Sequence, residues 1–401
     1  MEGALSGIRI LEWCYFHMGP TAAVILSDLG AEVVKIEEAV TGDPQRGAVQ
    51  IAGIATGRPG GNANFDSLNR NKRSICIDLK NPEGRQIVYG MIPKFDVFIT
   101  SFRTKAIERL GLDYETLKGY NPQLVYFHGS AYGPLGPESD FAGQDFNGQA
   151  RSGFAMAQRE EPWAVGGIAD EGAGWWGAIG ILSALHARER LGKGQKIETS
   201  LLGSMITLNR TAATGVLASG QEASNFGQKA AGNPLYNFYR AGDGKWLCLS
   251  FGMGMEPRWP NLCIALDRPD LENDARFCDV EARRNNNREL IAVLDEIFQQ
   301  RAREEWLQRL RERDIPASVV NRLTDLVNDP QVTENQYVAE YENPVAGKRM
   351  GVGFPLSMSE SSMRTPSAAP ELGQHTEEVL IELGGYNWDD ISQFKEKGVI
   401  P

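Results

Sequence analysis

Polar and apolar side chains alternate through Ile8-Arg9-Ile10-Leu11-Glu12-Trp13, which predicts a strand. A Gly19-Pro20 break then opens a helix reaching about Leu29, with the proline in the first turn, where its missing N–H costs little. Gly30 ends that helix, and Ala31 to Glu37 reads as a second strand. The unit is therefore β-α-β, which requires parallel strands and a right-handed crossover. The rhythm continues with a strand at Ser74–Leu79 and a helix at Pro82–Met91. A strand at Asp96–Thr100, a helix at Lys105–Leu117 and a strand at Gln123–Phe127 follow. Such alternation predicts an α/β fold with a doubly wound parallel sheet, whose ligands sit at the carboxyl ends of the strands.

Residues 133–168 are rich in Gly, Ala, Gln and Pro and read as loops with short helices. Trp175, Trp176, Ile179, Leu182 and Leu185 then form an apolar stripe at helical spacing, with Arg188, Arg190 and Lys193 near the helix end. Gly192 and Gly194 supply a turn before a strand at Gln195–Ser200. Small and polar residues at 217–233 suggest a linker. A hairpin (Asn237–Arg240, a Gly242-Asp243-Gly244 turn, Trp246–Leu249) and two charged helices near 286–300 and 303–313 suggest a smaller α+β domain. The expected division is a large domain beginning with 1–216, a linker at 217–233, a small domain at 234–325, and a C-terminal segment, 326–401, returning to the large domain. One helix is expected in that segment, near 374–384.

Acidic residues exceed basic ones, 52 against 41, for a formal charge of −11. That balance argues against a general nucleic-acid partner, and an anionic ligand would need a local cationic patch. The N-terminus has no basic leader with a long apolar core, and no apolar run nears the roughly 20 residues needed to cross a bilayer. The five cysteines are widely spaced, odd in number and without a CxxC pair, as expected of incidental thiols in a reducing cytoplasm.

Glu37 lies about 20 residues beyond the first turn, as in a dinucleotide fold. The turn itself reads His17-Met18-Gly19-Pro20, however, and lacks the glycines and the N–H donor that a pyrophosphate requires. No phosphate loop and no G-x-S-x-G elbow occur. The histidines (His17, His128, His186, His375) are scattered, so metal catalysis has no support. His128 and His186 suit packing or capping, whereas His17 lies in the first βα loop.

The richest constellation is Val165-Gly166-Gly167-Ile168-Ala169-Asp170-Glu171-Gly172-Ala173-Gly174. Asp170 here could be a helix N-cap. It could equally be an ionised nucleophile, approached through flanking glycines and favoured by the positive helix end. Composition does not separate the two. Basic residues gather between 70 and 109 (Arg70, Lys72, Arg73, Lys80, Arg85, Arg103, Lys105, Arg109), either as a solvated face or as a site for a phosphorylated ligand. Trp163, Trp175, Trp176 and Phe146 could line an aromatic acyl pocket, though a buried helix stripe explains the tryptophans equally.

The sequence resembles the family III CoA-transferases, which include formyl-CoA transferase and carnitine CoA-transferase. The resemblance rests on Leu5-Ser6-Gly7-Ile8-Arg9-Ile10-Leu11-Glu12, Gly19-Pro20, the run from Asp28 to Glu37, Gly42-Asp43-Pro44, Asn71-Lys72-Arg73-Ser74 and Asp78-Leu79-Lys80. Arg109-Leu110-Gly111, Asn121-Pro122, Gly180-Ile181-Leu182-Ser183-Ala184-Leu185 and Gly192-Lys193-Gly194-Gln195 extend it. So do Glu305-Trp306-Leu307, Asp314-Ile315-Pro316, Asp329-Pro330 and Leu372-Gly373-Gln374-His375-Thr376. It implies a Rossmann-like large domain, a smaller domain and an interlocked homodimer. It also implies transfer of CoA from an acyl-CoA donor to a carboxylic acid acceptor, with no permanently bound cofactor.

Asp170 matches the family nucleophile, which passes through an aspartyl anhydride and an aspartyl-CoA thioester. By position, His17 and Met18 match first-loop CoA contacts, and Ile77, Asp78, Leu79 and Lys80 match the adenine-contacting strand end. Ser101, Phe102 and Arg103 match the next strand end, Arg109 a phosphate-binding arginine, and Gln144 and Asp145 the loop approaching the active site. Departures are Glu38 in place of a phosphate-contacting arginine, Ala142 in place of a CoA-contacting lysine, and a shortened, glycine-poor flap near Gly227-Gln228. These argue against formyl-CoA and oxalate as substrates. Two rivals are an α-methylacyl-CoA racemase-like isomerase, disfavoured because Gln144 stands where that chemistry needs a histidine, and a non-catalytic CoA-binding protein.

Overall fold

Six parallel strands form one sheet: β1 (Arg9–Trp13), β2 (Glu32–Glu37), β3 (Lys72–Cys76), β4 (Val97–Thr100), β5 (Val125–Ser130) and β6 (Lys196–Ser200). Their order is β3-β2-β1-β4-β5-β6. Leu11 of β1 is flanked by Val34 of β2 and Phe98 of β4. The computed structural model describes residues 2–51, 53–58, 61–157, 161–222, 227–252, 254–343 and 347–401. Both sheet faces are covered, so the strands are apolar on alternate residues in both directions. Leu11, Val34, Ile75 and Phe98 enter one core, and Ile10, Val33, Val97 and Phe127 enter another. Burying each such side chain contributes roughly 1.5–3 kcal/mol. The order reverses between β1 and β4, and in open α/β sheets ligands bind at such a reversal, outside the carboxyl ends of the strands.

Around the sheet lie α1 (Met18–Asp28), α2 (Pro82–Met91), α3 (Thr104–Leu110), α4 (Tyr114–Tyr120), α5 (Asp145–Arg151), α6 (Ile168–Leu191) and α7 (Leu201–Leu208). The helix expected over Lys105–Leu117 is thus two. Gly111 ends α3 in the left-handed region at φ 66°, and Asp113 caps α4 by accepting from the Thr116 N–H at 3.0 Å. The strand expected at Ser74–Leu79 begins two residues earlier, at Lys72, and ends at Cys76. Beyond Cys76 the Asp78 N–H donates to the Val399 carbonyl (2.9 Å), a C-terminal partner that local alternation does not disclose.

The helix expected near Trp175 is also corrected. It begins at Ile168 and buries its small face, including Gly172, Ala173, Gly174, Gly177 and Ala178, while Trp175, Trp176 and Ile179 stay exposed. Glycines are poor helix formers. Here they permit close packing: a β-carbon on Gly174 would stand 2.5 Å from the Thr21 side chain of α1, and one on Gly177 would stand 2.6 Å from Phe127 of β5.

Two compact units emerge, residues 1–156, 162–214 and 330–401 in one, and 157–161 and 215–329 in the other. The region expected as a linker begins inside a helix that runs from Arg210 to Ser219, and residues 223–226 of it lie outside the described residues. The second unit holds an antiparallel sheet of β7 (Tyr236–Arg240), β8 (Trp246–Ser250) and β9 (Ala317–Val319), with α8 (Asn287–Phe298) and α9 (Arg303–Glu312). In its core Tyr239 stacks on Phe298, which meets Trp306 edge-to-face, with ring centroids 4.9 and 5.4 Å apart.

The C-terminal segment forms a hairpin, β10 (Val338–Asn343) and β11 (Gly347–Val352), then α10 (Thr376–Glu382) and α11 (Trp388–Glu396). The hairpin and α11 were not expected. His375 and Thr376 dock on β3, where the Ser74 N–H donates to His375 Nδ1 (3.2 Å) and the Cys76 N–H to Thr376 Oγ1 (3.0 Å).

Candidate active site

The turn between β1 and α1 lies at the carboxyl end of β1, beside the point where the strand order reverses. Phe16 adopts φ 63°, a left-handed conformation that is uncommon without glycine, and its N–H donates to Asp43 Oδ1 at 3.2 Å. Asp43 is buried and pairs with Lys35 Nζ (3.1 Å), which also reaches Glu12 (3.0 Å) and donates to the Cys14 carbonyl (2.8 Å). Lys72 Nζ meets the other Glu12 oxygen at 2.7 Å and donates to the Pro20 carbonyl at 3.3 Å. All four charged side chains are withdrawn from solvent. Burial opposes charge on Glu12, but the two lysines outweigh it and hold the carboxylate below its ordinary range. This buried cluster grips both ends of the turn that carries His17.

Opposite that turn, α6 begins with Gly167 as its N-cap at φ 86°, so Asp170 is the third helical residue and not the cap. Asp145 does the capping from α5. Its Oδ1 accepts from the N–H groups of Ala169 (2.7 Å) and Asp170 (3.2 Å), and its Oδ2 from Gly167 (3.0 Å). Gln149, fully buried, donates to Asp145 Oδ2 at 2.6 Å, and its own Oε1 accepts from the Val165 N–H at 2.9 Å. Because another carboxylate satisfies the helix end, the Asp170 carboxylate has no hydrogen-bond partner among the described residues. Burial pushes its pKa up to about 6, against the favourable charge of His17 and with the help of Asp145 and Glu171.

His17 Nε2 lies 2.8 Å from Glu171 Oε1, the residue after Asp170. Burial disfavours the imidazolium, but Glu171, Asp170 and Asp145 together raise its pKa above the ordinary histidine value. A side chain at Gly167 would press on this ring, its β-carbon 3.1 Å from His17 Cε1. The structure therefore brings His17, Asp145 and Asp170 together, and adds Glu171 and Gln149, which the sequence did not single out. The pairing of His17 and Glu171 spans 154 residues, so no local spacing signals it.

The remaining residues expected at the site fall at neighbouring strand ends. Ser101, Phe102 and Arg103 follow β4, with the Phe102 ring 4.3 Å from Trp13 and 5.0 Å from Tyr15. Ile77 and Leu79 are buried in the sheet core, Asp78 is half-buried, and Lys80 is exposed just beyond β3. The Met18 side chain is buried with Ala169, Ala173, Leu201 and Met205. Gln144 is exposed at the start of α5, where its N–H donates to Asn147 Oδ1 at 2.9 Å.

The basic cluster divides in two. Lys72 is buried, Arg70 pairs with Asp28 (2.6 Å), and Arg73 binds Glu32, Glu378 and Glu382, so these three are structural. Lys105 pairs with Asp140, while Lys80, Arg103 and Arg109 make no salt bridge among the described residues and stand exposed. Glu38 folds its carboxylate onto the Val40 and Thr41 N–H groups (2.9 and 2.7 Å). In the second unit Gln228 is fixed by donating to Asp295 (2.9 Å) and accepting from Asn237 (2.8 Å). Among the described residues, no group of His, Cys, Asp and Glu side chains could hold a metal ion, and no helix is long and apolar enough to cross a membrane.

This geometry suits acyl transfer, with a carboxylate free to attack, a helix end beside it and a histidine facing it. Comparison with known proteins agrees. The chain is 32% identical over its full length to an acyl-CoA transferase of Fusarium pseudograminearum strain CS3096, covering 89% of that protein. It is 29% identical to a cinnamoyl-CoA:phenyllactate CoA-transferase of Clostridium sporogenes, with 98% of this chain and 97% of the relative aligned. A CaiB/BaiF family protein from Brucella suis superposes with a TM-score of 0.83 at 30% identity, over 96% of this chain and all of the other. The profile of CoA-transferase family III matches residues 5–376. The protein is an enzyme belonging to the family III CoA-transferases.

Proposed function

We propose that the protein moves coenzyme A from an acyl-CoA thioester to a free carboxylic acid through covalent intermediates on Asp170. The observation that carries this reading is a half-buried carboxylate left without a hydrogen-bond partner at a helix N-terminus whose amides Asp145 already occupies. Asp170 attacks the thioester carbonyl, the C–S bond breaks, and the electron pair leaves on sulfur as CoA thiolate. The resulting anhydride keeps the acyl group activated, so no ATP is needed. The thiolate then attacks the aspartyl carbonyl and expels the donor acid. The acceptor carboxylate runs the same two steps in reverse. No bound cofactor takes part; the CoA thioester is itself a substrate.

Lys80, Arg103 and Arg109 are the cations we assign to the CoA phosphates, and the aromatic group of Phe102, Trp13 and Tyr15 supports adenine binding beside them. We further assign an interlocked homodimer, because α6 exposes Trp175, Trp176 and Ile179 and α7 exposes Ile206 and Leu208, apolar surface that a second copy would cover. Five unpaired thiols support a cytoplasmic setting.

The reading is tested with a panel of acyl-CoA donors and carboxylate acceptors, products being followed by mass spectrometry. Wild-type protein should exchange CoA and yield an enzyme-bound acyl group that hydroxylamine traps, which a mere CoA binder would not form. Asp170→Ala should do neither. One observation favours a second reading: with His17 beside Asp170, the site holds two titratable groups that could exchange a proton at an α-carbon, as in a racemase. Solvent deuterium entering the α-carbon without an acceptor acid would select that chemistry.

A further inference from the structure

The pairing of His17 with Glu171 is not required by a carboxylate nucleophile alone, yet it is built with care. Its Nε2 is committed to Glu171 at 2.8 Å, while Nδ1 has no hydrogen-bond partner among the described residues. The ring is mostly buried and confined on one side by the Gly167 turn. The titratable groups facing it are Glu171 and Asp170 on α6 and Asp145 on α5. Behind its own turn, Asp43, Lys35, Glu12 and Lys72 are mutually paired. Among the described residues, His17 is the cation whose charge favours the Asp170 carboxylate.

The transfer chemistry makes a demand at this spot. When Asp170 attacks, sulfur departs as a thiolate and must return to the aspartyl carbonyl before water does. It must also stay unprotonated, because a thiol is a far weaker nucleophile. To attack the second carbonyl it must remain about 3–3.5 Å from the anhydride. A fixed cation with one free N–H meets both needs.

We infer that His17, held as an imidazolium by Glu171, is the catalytic cation that keeps the departed CoA sulfur ionised and beside Asp170, with Glu171 as its positioning residue. The inference rests on Asp170 being the nucleophile. No proton moves: the C–S electron pair passes to sulfur, His17 retains both ring protons, and Nδ1–H faces the thiolate until the aspartyl–sulfur bond forms. Without that cation the anhydride forms and then loses its partner, so water takes the acyl group. Transfer becomes acyl-CoA hydrolysis.

The test measures acid-dependent CoA transfer and free-thiol release together. His17→Gln preserves side-chain polarity and removes the charge. It should lower transfer on the order of 100-fold, the scale of losing one electrostatic contact to a reacting atom. It should also release free CoA that wild type retains. Glu171→Gln keeps the nucleophile and His17, and should move the alkaline limb of kcat to lower pH by roughly one unit. Wild-type transfer with no free CoA in His17→Gln, or an unmoved alkaline limb in Glu171→Gln, overturns the inference. Asp170→Ala separates the premises: if it still transfers CoA, the nucleophile assignment has failed instead.

Discussion

At the scale of single residues, Asp170 carries a charge that the fold disfavours. Its carboxyl is raised from 3.8 to about 6, chiefly by burial. An acid with a raised folded pKa binds its proton more tightly when folded. Its contribution to stability is full below about pH 4 and lost as pH rises through about 6. Asp170→Asn should therefore stabilise the protein at pH 8, on the order of 2 kcal/mol, and give no gain near pH 4. Chemical denaturation at the two pH values measures this, and an equal gain at both would contradict it. The same residue marks a limit of sequence reading. Glycines around an acid before a helix left cap and nucleophile open. What removes the cap reading is Asp145, 25 residues earlier, which occupies the amides that Asp170 would otherwise cap; the nucleophile is our proposal. No spacing rule reveals that exchange of roles.

At the scale of elements, the β1–α1 turn depends on charges that lie inside the protein. Lys35 joins Glu12, Asp43 and the Cys14 carbonyl, and Asp43 in turn holds the left-handed Phe16. Removing one partner of a buried ion pair leaves the others uncompensated. Lys35→Met should cost about 3–5 kcal/mol, read from the denaturant midpoint; a loss below about 1 kcal/mol would show that the cluster is dispensable. In the sequence, Lys35 and Glu12 looked like the polar positions of alternating strands. Alternation finds the strands, but the strands' ends are covered by α1 and the Asp43 turn, so these polar residues are buried. The α6 stripe misled in the opposite sense. Apolar side chains at helical spacing normally face the core, and Leu185 of the stripe does so, but over its first half α6 packs so closely on α1 and β5 that Gly and Ala occupy the contact and the tryptophans turn outward.

At the scale of the whole molecule, the parallel sheet was legible because β-α-β alternation admits few topologies; the order of its strands was not predicted. The return of the C-terminal segment to the large domain was expected, but its particular core contacts were not, since Val379, Leu380, Val399 and Ile400 join Ile75 across some 300 residues. The outward apolar surface of α6 and α7 gives an expectation at this scale. Light scattering after size exclusion should give twice the chain mass, and Trp176→Glu should weaken that assembly. A monomer at micromolar concentration would remove the dimer from the account.

The central claim is that Asp170 is acylated during turnover, and one measurement addresses it most directly. The enzyme is quenched during reaction with an acyl-CoA donor and hydroxylamine, digested and analysed by peptide mass spectrometry. The expected result is a hydroxamate on the peptide containing Asp170, absent from Asp170→Ala, which also loses CoA transfer. An unmodified Asp170 peptide together with wild-type transfer in the alanine variant would contradict it.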